Sequence, residues 1–286
     1  MDSVFIKHIE TILNKKVTQL ISVSGGDISE TFKIETSTKS YFLKVNNTPN
    51  ALSMFKAEAY GLQLINDTKS IKTPEVIAYD SYQNTSFLLL EFIESKSPST
   101  EDFKKLGHQL AKLHKNTSEN FGLNQNNFIG SLPQSNKQHN TWLDYYTSER
   151  LLPQLELAKQ KKLLTNKECP NEENIKNQLQ ELFTNIKPAL LHGDLWSGNY
   201  LISTSGQPYL IDPAVYYGHF EVDIAMSKLF GGFSNDFYEE YFSNFIINSG
   251  TKARIEIYQL YYLLVHLNLF GSSYYRSVVS ILKNHF

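Results

Sequence analysis

Apolar residues in the first ninety positions change their spacing several times, and each change marks an element. Val4, Phe5, Ile9, Ile12 and Leu13 recur at helical spacing and predict an opening helix. Three short runs follow, Val17–Val23, Thr31–Glu35 and Tyr41–Val45. They are rich in β-branched and aromatic residues and are separated by Gly-Gly-Asp and Ser-Thr-Lys-Ser turns, so they predict strands. A helix capped by Asn50 or Ser53 is expected to run to about Ile65, ahead of the break at Thr73-Pro74. Two more strands are expected at Val76–Tyr79 and Phe87–Phe92. The sum is a five-stranded, mostly antiparallel sheet with one prominent helix.

After Ile93 the pattern turns helical. Ser95, Ser97, Pro98 and Ser99 read as a linker, with a hinge near residues 91–96. Leu106, Leu110 and Leu113 share one helix face, Leu143, Leu151, Leu155 and Leu157 fall in a second long helical stretch, and the chain from Glu221 onward is largely helical. One β-like island interrupts this, Tyr200–Ile202 and Tyr209–Ile211 around Ser205-Gly206-Gln207-Pro208. The expected fold class is α+β with two lobes: a small β-rich nucleotide-binding lobe over residues 1–93 and a larger α-rich catalytic and substrate-binding lobe over 94–286. The cleft between them is the natural ligand site.

Composition narrows the function classes. The 286 residues are 41% hydrophobic and 20% charged with net charge −2, so no basic field draws in nucleic acid or an anionic membrane. Arg150, Arg254 and Arg276 are the only arginines, and Cys169 the only cysteine, which excludes an intramolecular disulfide. The start lacks a basic segment followed by an apolar run, and the apolar stretch Tyr258–Phe270 is interrupted by Gln259, His266 and Asn268. A cytoplasmic enzyme is expected.

The chemistry-bearing segment is LLHGDLWSGNYLI, residues 190–202, followed by LIDPAVYYG, residues 210–218. Its skeleton is Asp194, four residues, Asn199, a short hairpin and then Asp212. Phosphoryl transfer needs such a set: a carboxylate to receive or orient the attacking hydroxyl, and oxygen ligands to hold Mg²⁺ against a triphosphate. Asp194 is expected to be the catalytic base, with Asn199 and Asp212 as metal ligands. Singly, each could merely cap a turn or end a strand; the whole string is far more specific. His192 is expected to position the loop. Upstream, Lys44 in YFLKV and Glu58 in the following helix match the strand lysine and helix glutamate that aim an ammonium at phosphates. Gly25 and Gly26 of SGGDIS could present backbone N–H groups to the nucleotide, although a plain hairpin turn accounts for them equally. Glu91 and Ile93 stand where a hinge backbone would pair with adenine.

HGDLWSGN, IDPAVYYG and LFGGF (residues 229–233) resemble the fructosamine kinase family, also called ketosamine kinases, which is related to aminoglycoside and choline kinases. GGDISETFKI, FLKVN, MFKAEAYGLQLI, LGHQLAKLH, FGLNQNNFIGSLPQ and RLLPQLELA extend the resemblance, in order, over essentially the full chain. It implies ATP- and Mg²⁺-dependent phosphorylation of a ketoamine on the hydroxyl of its third sugar carbon. The unstable product sheds its sugar, so the role is deglycation of amines or proteins. The partner would be a small ketoamine or a glycated protein. The resemblance also sets Trp196 against the sugar, with Tyr216, Tyr217 and Phe233 as weaker pocket residues whose alternative is ordinary packing. Two positions depart from the family pattern. Asp27 stands where some members carry a loop cysteine, and Leu264-Val265-His266 where Leu-Asn-His is expected. The rival expectations are a kinase of the same fold for an aminoglycoside, choline or a thio-sugar, and a non-catalytic kinase-like scaffold.

Overall fold

The computed structural model describes residues 3–23 and 29–286. Helix α1 (Ser3–Leu13) leads into strands β1 (Val17–Ser22), β2 (Glu30–Thr36) and β3 (Ser40–Asn46), then helix α2 (Ala51–Asp67) and strands β4 (Val76–Tyr82) and β5 (Thr85–Glu91). The five strands form one sheet in the order β1-β2-β3-β5-β4, and every neighbouring pair is antiparallel. Asn50 holds the N-cap position of α2, but its side chain makes no capping bond; the Ala51 N–H is held by the carbonyl of Thr48.

Side chains alternate across a strand, and β5 uses both faces. Phe87 and Leu89 join Phe5 and Ile9 of α1, together with Ile34, Leu43 and Val45. Leu88 and Leu90 face Phe55, Ala59 and Leu62 of α2. Lys44 is paired with Leu88 in register, so it shares the α2 face. The same alternation that buries Leu43 and Val45 thus turns Lys44 toward α2.

The segment expected to be a linker is instead bound. Ser95–Lys96 forms a short strand, β6, whose partners are Ser203 and Ile202. Ser99 then caps α3 (Thr100–Leu113) in a full capping box with Asp102. Two paired residues are too few to carry a period, which is why this stretch reads as a loop in the sequence.

The hairpin β7 (Asn127–Ile129) and β8 (Leu132–Gln134) precedes one continuous helical run. It consists of α4 (Trp142–Tyr145), a π-helical turn (Tyr146–Leu151) and α5 (Leu152–Gln160). Helix α6 (Glu172–Leu179) leads to β9 (Ala189–Leu191), β10 (Tyr200–Ser203), β11 (Pro208–Leu210) and β12 (Tyr216–Gly218). Strand β10 pairs with β11 and β6, and β9 pairs with β12. Helices α7 (Glu221–Leu229), α8 (Asn235–Phe242), α9 (Thr251–Phe270) and α10 (Tyr275–His285) complete the chain. Helix α9 is buried on most sides, through Ile257, Tyr258, Tyr261, Tyr262, Leu264 and Val265 among others. The large core also takes in Leu106, Leu110 and Leu113 of α3. Among the described residues, no helix is long and apolar enough to cross a membrane.

Candidate active site

Strands β9 and β12 set the site, because the turn after β9 is pinned at every backbone group. The His192 and Gly193 N–H groups donate to the Asp223 carboxylate at 2.7 and 2.9 Å. The Ala214 N–H donates to the His192 carbonyl at 2.9 Å, and the Tyr262 hydroxyl to the Gly193 carbonyl at 2.8 Å. Gly193 has φ +85°, and a Cβ there would lie 2.1 Å from the Ala214 carbonyl oxygen, so only glycine fits.

His192 is fully buried and acts as expected. Its Nδ1 accepts the Asp194 N–H at 3.3 Å, and its Nε2–H donates to the Ile211 carbonyl at 2.8 Å. Burial pulls its pKa below the ordinary value, so the ring stays neutral. It ties the Asp194 turn to the segment before Asp212.

Asp194 lies half-buried on this turn. The Asn199 amide nitrogen donates to the Asp194 carbonyl at 2.8 Å and to its carboxylate at 3.3 Å. This holds the two residues together and turns the Asn199 carbonyl oxygen away from Asp194. Burial first, then the charges of Asp212 and Asp223, push the Asp194 carboxyl up to about 7, against the lowering effect of Asn199.

Asp212 adopts the left-handed region at φ +54°, which is unusual for a non-glycine residue and re-aims its side chain. Its carboxylate receives the Lys44 ammonium, which also donates to Glu58 at 2.8 Å. The sheet, α2 and the hairpin after β9 therefore meet at one cation. Burial alone would lower the Lys44 pKa, but Asp212 and Glu58 outweigh it and raise it. Burial pushes Glu58 up to about 8, while for Asp212 the Lys44 charge overrides burial and holds the carboxyl below its usual value. Asp212 is thus the carboxylate that keeps its charge.

The donor set suits Mg²⁺. Asn199 and Asp212 offer hard oxygens, and among the described residues no group of three or more His, Cys, Asp or Glu forms a metal cage of its own. An ion that retains water and shares its shell with phosphates needs no more than this.

The remaining expected residues are distributed around this centre. Trp196 is 36% exposed beside Asp194, and its ring lies over Gly198, where a Cβ would come within 2.3 Å of it. Tyr216 is buried and packs toward Gly193, whereas Tyr217, next along β12, is half-buried near Tyr60 of α2. Phe233 packs against Tyr200 at 5.0 Å between ring centroids. Glu91 ends β5 opposite Tyr41, with its N–H donating to the Glu75 carbonyl at 2.8 Å, and Ile93 follows it half-buried. Gly25, Gly26 and Asp27 lie outside the described residues.

Sequence reasoning missed three buried polar residues: Asp223, which holds the turn, His114, which holds Asp223, and Arg150, which packs on Tyr216 of β12. Asp223 is fully buried and also accepts His114 Nε2–H at 3.0 Å, while His114 Nδ1 accepts the Tyr241 hydroxyl at 2.6 Å. Arg150, fully buried on the π-helical turn, lies over the Tyr216 ring at 4.0 Å and donates to the Ser135 carbonyl and the Asn136 side chain. The available signal was a charge at a core position: Asp223 sits among Val222, Ile224 and Ala225, and Arg150 beside Leu151.

The fructosamine kinase family model matches residues 1–286. A Lactiplantibacillus plantarum protein named "Probable ketoamine kinase" is 40% identical over 94% of this chain and 95% of its own. "Protein-ribulosamine 3-kinase, chloroplastic" of Oryza sativa subsp. japonica is 38% identical over 94% of this chain and 79% of its own. A crystal structure of a candidate fructosamine-3-kinase from Haemophilus somnus 129PT superposes with TM-score 0.88 at 28% identity, covering 99% of this chain and 96% of that one. The protein-kinase-like two-lobe fold is shared with these and with more distant small-molecule kinases. With a family model matched from end to end, relatives near 40% identity and the Asp194–Asn199–Asp212 constellation in place, this chain belongs to the fructosamine kinase family.

Proposed function

We propose that this protein transfers the γ-phosphoryl group of ATP to the 3-hydroxyl of a ketoamine, a ribulosamine or fructosamine adduct carried by a small amine or by a glycated protein. The phosphorylated product then sheds its sugar and frees the amine. The observation that carries this is the convergence of Lys44, Glu58 and Asp212 on one cation, beside an Asp194–Asn199 pair with its carboxyl raised by burial.

In this reaction Asp194 takes the proton of the attacking hydroxyl while that oxygen bonds to the γ-phosphorus. The bond from the γ-phosphorus to the bridging oxygen breaks, and ADP leaves. A carboxyl poised near 7 is basic enough to receive that proton and is still largely ionised above neutrality. Lys44, held by Glu58, presents its ammonium to the α- and β-phosphates. Asn199 and Asp212 would hold Mg²⁺, which neutralises charge on the β- and γ-phosphates. Trp196 offers a ring face to the sugar, with Tyr217 as a further substrate-side residue; Gly25, Gly26, Glu91 and Ile93 would frame the nucleotide. The lobes divide near residue 93, and the cytoplasm is the compartment.

A coupled ADP-release assay with Mg²⁺-ATP tests this on ribulose-lysine, fructose-lysine and kanamycin, with Asp194→Ala as the blank. Turnover of a ketoamine that vanishes in the variant is expected. Turnover of kanamycin alone would overturn the substrate class.

A further inference from the structure

The aromatic residues of the α-rich lobe are mostly buried; Tyr275, at 37% exposure, and the three rings that follow are exceptions. Phe270 is 53% exposed, Phe230 41% and Trp196 36%. Phe230 and Phe270 both lie against the His266 ring, with centroids at 4.8 and 5.5 Å, and Tyr274 lies against it at 5.1 Å. Water-facing rings collected in one place are unfavourable unless something covers them.

Their position says what that is. Tyr262, His266 and Phe270 stand at successive i, i+4 positions on α9 and so form one stripe along the helix. The stripe begins at the catalytic turn, where the Tyr262 hydroxyl donates to the Gly193 carbonyl at 2.8 Å. At 1.5 Å of rise per residue, Phe270 lies about 12 Å further along the axis. The loop that follows α7 carries Phe230 and then passes close to the segment after Asp194. Gly232, at φ +88°, approaches Ser197 so closely that a Cβ would lie 2.3 Å from that side chain, next to Trp196. Two independent segments, one touching Gly193 and the other Ser197, therefore carry rings that meet at His266.

Resting on the function proposed above, we infer that this wall, formed by Phe230, Phe270 and Tyr274 around His266, is the subsite for the amine-bearing part of the ketoamine, and that it selects amines carrying an aromatic or apolar group. The reacting hydroxyl is two carbons from the carbon that bears nitrogen. With that hydroxyl at Asp194, the amine and whatever it carries point away from the turn. The nitrogen is a secondary ammonium at neutral pH, and ring faces attract a cation as well as an apolar chain.

The test compares two ribulose adducts, one of benzylamine and one of methylamine, with Mg²⁺-ATP. The protein is expected to prefer the benzylamine adduct in kcat/KM by about tenfold or more, through KM. Phe270→Ala, at a position already half in water, is expected to remove most of that preference, and Phe230→Ala to do the same. Ile246→Ser, at an exposed apolar residue (92%) between α8 and α9, should leave the preference unchanged. Turnover of both adducts without preference, a preference that survives Phe270→Ala, or one that is lost in Ile246→Ser would overturn the subsite alone. No turnover of either adduct would overturn the ketoamine function and the subsite with it.

Discussion

Asp194 and Asp223 flank the same backbone turn and meet opposite surroundings. Asp223 accepts two backbone N–H groups and His114 Nε2–H, and despite full burial these partners hold its carboxyl below the ordinary value. Asp194 has the Asn199 amide at 3.3 Å, and burial with two neighbouring negative charges raises it to about 7. Hydrogen bonds to the charged form decide the direction of each shift. One carboxylate is satisfied and holds structure. The other is left basic and facing the cleft, where it can take a proton.

The strongest way to break this contrast is to remove each carboxylate in turn. Asp194→Ala should lower kcat by about 10³-fold or more, since a positioned base contributes at that scale. Steady-state kinetics on a ketoamine checks it, and a variant within tenfold of the parent would show that the base is elsewhere. Asp223→Ala should instead act first on stability. It strands two buried backbone N–H groups and the His114 Nε2–H, at a cost of about 3 kcal/mol or more in urea denaturation. Activity falls with it, because the turn that aims Asp194 loses its anchor.

A subtler effect sharpens the comparison through pH. Burial keeps His192 and His219 neutral, with pKa values below the ordinary 6.5, so below about pH 6.5 the unfolded chain binds protons that the folded chain does not. Each histidine therefore contributes a loss of about 1 kcal/mol per pH unit as pH drops from 7 toward 5, opposed over the same range by Asp194 and Glu58, whose raised carboxyls favour the folded chain as pH falls. His192→Asn removes one histidine alone, so its stability relative to the parent should rise as pH drops from 7 toward 5; a difference that stays constant over that range would contradict the neutral, loop-tying role of His192. The smallest effect is at the α3 cap. Bonds from Lys96 and Ser99 hold Asp102 at about 2, so its contribution is present above about pH 4 and is lost as pH falls toward 2. Asp102→Ala should cost about 1 kcal/mol at pH 7 and almost nothing near pH 2.

Much of this contrast is legible in the sequence on one side only. Asp194, Asn199 and Asp212 stand at a spacing that one loop and one hairpin bring together, and Lys44 lies in a strand whose alternation turns it toward α2. Local order carries such information. Asp223 and His114 lie 31 and 78 residues from His192, and nothing local pairs them with the turn. The same holds for Tyr262 and for the three-residue pair β9–β12, whose hydrophobic runs are too short to carry a period. The segment Ser95–Ser99 misleads for a related reason. Its serines suggest a linker, but a two-residue strand and a capping box fix it in place.

The most direct test measures Asp194→Asn for turnover and for stability in one preparation, without nucleotide or metal in the denaturation. Because folding raises the Asp194 pKa from 3.8 to about 7, ionising it costs nothing below about pH 4, and the cost grows as pH rises to 7. The account predicts a variant that has lost about 10³-fold in kcat and yet is about 1–3 kcal/mol more stable than the parent at pH 8, with the difference closing toward pH 4. A variant that keeps its turnover, or that is less stable than the parent at pH 8, would contradict it.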